Sequence, residues 1–145
     1  MSFQSWHTYG YGICVDHIDT TDITKLQALL TCAPKLNAEI QQHFLALEID
    51  TPTWDDYMDF DEDYQLGLAT ILQRVISEAE GIELVACDDF ENSQYLLYPP
   101  RYPWSMSSLD HELTEETIAA ILHKYCVMLT DTPIEIDYEA PENGG

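Results

Sequence analysis

The chain carries one run of carboxylates whose spacing resembles a metal loop. Asp59, Asp61 and Asp63 alternate as the first, third and fifth ligands of a calcium-binding EF-hand would. That loop requires a glycine at its sixth position, for the sharp turn, and a bidentate glutamate at its twelfth. Here those positions hold Tyr64 and Thr70, so the motif fails twice. His111-Glu112 matches only the first half of the zinc-hydrolase pattern H-E-x-x-H, because Glu115 stands where the second histidine belongs. His7, His17, His43, His111 and His123 are scattered, with no pair at ligand spacing. No serine, cysteine or threonine lies in a nucleophile-elbow context, and no glycine-rich segment leads into a helix as a phosphate cradle does. No catalytic, metal or cofactor site is therefore expected, and the chain reads as a non-enzyme.

What remains is charge. The 145 residues include 27 Asp plus Glu and 5 Lys plus Arg, a formal net charge of −22. Small domains usually carry net charges of magnitude about 2–8, because a larger excess destabilises the compact state by self-repulsion. Hydrophobic residues make up 46%, with nine Tyr and three Trp, so a real core is affordable and disorder is not expected. An acidic surface repels nucleic acid and anionic membranes and attracts basic clefts. Duplex DNA presents one negative charge per about 1.7 Å of axis, so 22 net charges match roughly 37 Å of duplex. A compact domain of this length, with a radius of gyration of about 15 Å, can thus offer a basic cleft a charge density similar to that of its nucleic acid.

The carboxylates form groups. The densest comprises Glu48, Asp50, Asp55, Asp56, Asp59, Asp61, Glu62 and Asp63, within a stretch from Leu36 to Gln73 that contains no Lys or Arg. Trp54, Tyr57 and Phe60 interleave there at a spacing of three, which suits rings anchoring the segment while carboxylates face outward. Asp88, Asp89 and Glu91 fall at a turn. Asp110, Glu112, Glu115 and Glu116 precede and open a helix, and Asp131, Glu135, Asp137, Glu139 and Glu142 lie near the C-terminus. The first three groups are the candidate partner-binding residues.

The elements that must hold these groups follow from periodicity. Tyr9, Tyr11, Ile13 and Val15 alternate with Gly10, Gly12 and Cys14, a strand whose glycines permit close approach of a neighbour. Asp22 is among the possible caps of a helix carrying Leu26, Leu29 and Leu30, which Pro34 is expected to end. A second helix is expected over about 35–47, with Leu36, Ile40, Phe44 and Leu47 on one stripe. A long helix is expected over roughly 61–80, closed by Gly81. Residues 82–87 and 94–98 read as a hairpin. Thr114 caps a last helix with Ile118, Ile121, Leu122, Tyr125 and Leu129 inward. Ile134, Ile136 and Tyr138 mark a closing strand. The order is β-α-α-α-β-β-α-β, a single α+β domain over 1–140 with about four mostly antiparallel strands packed on about four helices, and 141–145 as a loose tail.

Cys14, Cys32, Cys87 and Cys126 sit in apolar stretches without paired spacing, as free thiols of a reducing compartment do. With no secretory leader pattern and no apolar span, the chain is expected to be cytoplasmic.

In size, acidity and lack of catalytic motifs the sequence resembles the small proteins with which phages and mobile elements block host defence, the anti-CRISPR and anti-restriction DNA mimics. The resemblance is compositional. It implies inhibition by occupying the basic nucleic-acid channel of a nuclease such as a CRISPR effector, without direct binding to nucleic acid or membrane. The alternative from charge alone is an acidic adaptor or immunity protein for one basic partner, indifferent to nucleic acid.

Overall fold

The computed structural model describes residues 6–7, 10–18, 20, 22–59, 67–88, 93–98, 114–139 and 142–143. Their architecture is α+β. A four-stranded antiparallel sheet runs in the order β3 (Val85–Asp88), β4 (Gln94–Tyr98), β2 (Gly10–Cys14), β5 (Asp137–Glu139). Five helices accompany it: α1 (Ile23–Leu30), α2 (Pro34–Ala46), α3 (Trp54–Met58), α4 (Leu68–Glu80) and α5 (Glu115–Cys126).

The glycines of β2 act as their spacing suggests. A Cβ on Gly12 would lie 2.0 Å from the Leu96 carbonyl oxygen, and one on Gly10 would lie 2.7 Å from that of Tyr98. Only glycine lets β2 approach β4 this closely. The register sets Ile13 opposite Leu96 and Leu96 opposite Ala86. These side chains share one face, against which α4 and α5 pack. Leu26, Leu29, Leu30, Leu36, Ile40, Leu72, Ile76, Leu122 and Tyr125 complete the core. Leu97 points to the other face and is fully buried as well.

Local chemistry fixes the helix ends. Asp22 caps α1, accepting from the Thr24 N–H at 2.9 Å, and Thr114 caps α5, accepting from the Thr117 N–H at 3.2 Å. Pro34, expected as a helix breaker to end the first helix, is instead the first residue of α2, where its fixed φ and missing N–H cost nothing. Ala33 before it has no capping side chain, so Glu78 of α4 supplies one, accepting from the Lys35 and Leu36 N–H groups at 2.9 and 3.0 Å.

Several boundaries differ from expectation. The long helix begins at Leu68 rather than near 61, because Gly67 adopts φ 55° and ψ −122°, which no helix accommodates; residues 61–66 lie outside the described set. Val15 leaves the strand for a short 3-10 turn, Val15–His17. Ile82 and Leu84 are buried, but pairing starts only at Val85. The tail expected to be loose contains β6 (Glu142–Asn143), which pairs antiparallel with β1 (Trp6–His7).

Candidate functional site

The densest acidic group is built on α3 and the end of α2. Helix α2 ends in a Schellman motif. The Glu48 N–H donates to the Leu45 carbonyl at 3.1 Å, and the Ile49 N–H to that of Phe44 at 2.9 Å. Glu48 occupies the left-handed position at φ 58° and is exposed, as is Asp50. The chain then enters α3 through a capping box. The Asp56 N–H donates to Thr53 Oγ1 at 3.3 Å, and the Asp56 carboxylate accepts from the Thr53 N–H at 2.8 Å. Tyr57 is fully buried and meets Phe44 edge-on, ring centroids 5.0 Å apart, while Trp54 is half-buried. These rings fasten α3 to α2 and leave Asp55 and Asp59 exposed. Asp56 belongs to the scaffold, whereas Glu48, Asp50, Asp55 and Asp59 are available to a partner.

Three of the described cations lie elsewhere. Arg74 pairs with Glu39, and Lys124 with Glu80 at 3.5 Å. The contacts of 35 and 36 with 78, and of 39 with 74, show α2 and α4 running antiparallel. Lys35, Arg74 and Lys124 therefore gather along the C-terminal half of α4, and the end of α2, with α3, falls toward its start. Among the described residues no ion pair involves Glu48, Asp50, Asp55 or Asp59. Beside α3 an open hollow of about 290 Å³ is lined by Asp16, Trp54, Met58, Asp59 and Gln94, among others. Asp16, which the sequence reading did not single out, accepts there from the Gln94 N–H at 3.1 Å. Two carboxylates beside an aromatic ring suit a lysine or arginine side chain.

A second acidic surface lies at the other end of the sheet. Glu115 and Glu116 are exposed in the first turn of α5, where carboxylates complement the helix dipole. The Tyr138 hydroxyl donates to the Glu115 carboxylate, and the Tyr138 ring meets that of Tyr11 at 5.2 Å and 62°. Glu135 and Asp137 nearby in the chain are exposed as well. Tyr11 faces Tyr98 across the sheet, while the hollow lies at Gln94. Four residues of strand, about 13 Å, separate the two ends. The structure thus does not merge residues 48–59 with 115–116.

Asp88 is placed by its backbone opposite Gln94, at the end nearer the first surface. Asp61, Glu62, Asp63, Asp89, Glu91, Asp110 and Glu112 lie outside the described residues. The grouping of Asp16 with Asp59, and of Glu115 with Tyr138, had no local signal, since each pair is joined only by the fold.

Among the described residues no three His, Cys, Asp or Glu side chains converge as metal ligands. Burial pushes the Cys126 thiol up to about 12, which keeps it protonated and unreactive. No described helix is long and apolar enough to cross a membrane. No family model, curated protein or solved structure matches the chain.

Proposed function

We propose that this protein is an acidic inhibitor that occupies the basic nucleic-acid-binding surface of a nuclease, in the manner of the anti-CRISPR and anti-restriction mimics. The observation that carries the reading is the separation of charge. Arg74 and Lys124 pair with Glu39 and Glu80 on or beside the C-terminal half of α4, and Lys35 lies there too, its backbone capped by Glu78, while Glu48, Asp50, Asp55 and Asp59 stand exposed toward the other end. Such a surface attracts a Lys- and Arg-lined channel over long range and displaces its counterions on docking. Helical caps and a buried ring hold the backbone that carries these carboxylates, so little backbone ordering opposes binding.

The test is inhibition of DNA cleavage by purified nucleases, a CRISPR effector and a restriction endonuclease, at low and moderate salt. The reading expects inhibition that weakens steeply with salt and with added competitor DNA. Reversal of Glu48, Asp50, Asp55 and Asp59 to lysine should remove it. Inhibition that survives the reversal would reject the mimic.

A further inference from the structure

We infer that the end of α2 is an apolar anchor set in the acidic surface, and that the partner's basic surface carries a matching apolar socket rimmed by lysine or arginine. This rests on the proposed function and adds to it, because a nucleic acid has no such knob to imitate. The inward stripe of α2 ends at Phe44, yet two more leucines follow. Leu45 is 75% exposed and Leu47 is 56% exposed, and Ala46 between them is exposed as well. Isolated surface leucines mean little. These two sit within five residues of both Glu48 and Asp50, on an element packed against α3 with its Asp55 and Asp59. Charge complementarity therefore fixes the occupant of this helix end as a cationic protein surface. An apolar contact inside a charged rim is the common anatomy of an interface centre.

The backbone adds a second observation. Glu48 stands at the position after the helix cap where glycine is favoured, with φ 58°. A side chain in the left-handed region is strained, and strain of this kind is retained where it serves a site. A carboxylate held there sits directly beside Leu47, at the rim of the anchor.

The proposal separates from general charge attraction by comparing two cationic probes of equal charge, an oligolysine and an amphipathic Leu/Lys peptide. Binding is measured by fluorescence anisotropy on the full chain at about 0.3 M salt, where screening is strong. The amphipathic probe should bind about tenfold tighter. The Leu45→Ser/Leu47→Ser variant should lose that preference and keep its oligolysine affinity. Val127→Ser, which alters an exposed apolar residue three positions beyond Lys124, should retain the preference. Glu48→Gly should raise Tm by about 3 °C while weakening both probes, a combination that unfolding cannot produce. Equal affinity for the two probes, or a preference that survives in the double variant, would overturn the anchor and leave the acidic surface standing. Failure of both probes even at low salt would overturn the anchor and the proposed function together.

Discussion

The hydroxyl of Tyr138 donates a hydrogen bond to the carboxylate of Glu115, tying the edge strand β5 to the first turn of α5. This bond fixes the geometry of the second acidic surface. Tyr138→Phe keeps the ring against Tyr11 and removes only the donor. It should lower unfolding stability by about 1 kcal/mol, read as a lower denaturation midpoint with unchanged slope. Glu115→Gln retains an acceptor and should cost less.

Two neighbouring aspartates in α3 should behave differently. Asp56 closes the capping box with Thr53, and Asp55 faces solvent. Asp56→Ala and Thr53→Ala should each destabilise the domain by about 1 kcal/mol. Asp55→Lys and Asp59→Lys should leave thermal stability within about 0.5 kcal/mol of the parent, or raise it by relieving repulsion. Thermal denaturation of the four variants decides the matter.

Gly12 and Gly81 are required for different reasons, and alanine distinguishes them. At Gly81 nothing lies within 4 Å of a new Cβ, but φ is 73°, so Gly81→Ala should cost about 1–2 kcal/mol of strain. At Gly12 the new carbon meets the backbone of β4. Gly12→Ala should cost about 3 kcal/mol or more, measurable as loss of cooperative folding near physiological temperature.

Much of this fold was legible because local rules and tertiary packing agree. The 94–98 strand, the cap at Thr114 and the first three members of the stripe, Leu36, Ile40 and Phe44, appear where periodicity and capping chemistry place them, whereas Leu47, expected on that stripe, is exposed because α2 ends at Ala46. The errors arose where one residue overrode the pattern. Gly67 delays to Leu68 a helix expected from about 61, and Pro34 opens a helix instead of ending one. Of the candidate site, exposure of Glu48, Asp50, Asp55, Asp59, Glu115 and Glu116 followed from polarity. That Asp56 is a cap was implicit in the Thr53-x-x-Asp56 spacing. That Arg74 would pair with Glu39, and that Glu78 would cap α2 at the Lys35 N–H, was not, since those contacts join residues some forty positions apart.

Cys126 makes stability depend on alkaline pH. Its folded-state value, about 12, lies above the ordinary thiol value near 9. Below about 9 the thiol is protonated in both states and contributes no dependence. As pH rises from about 9 toward 12 the unfolded chain loses this proton while the folded one keeps it, so stability falls. Cys126→Ala should flatten that decline. Native labelling at pH 8 should modify the partly exposed Cys14, Cys32 and Cys87 before Cys126, which mass spectrometry of timed samples reads directly.

The central claim is that the exposed carboxylates of α2 and α3 engage a surface otherwise occupied by nucleic acid. The test is capture on the immobilised chain from nuclease-treated cell lysate, followed by elution with duplex DNA or RNA. A parallel column carries the Glu48→Lys/Asp55→Lys/Asp59→Lys variant. A nuclease or other nucleic-acid-binding protein should be retained, should be released by either polymer, and should be missing from the variant column. A partner that stays bound in excess nucleic acid, and binds the variant equally well, would contradict it.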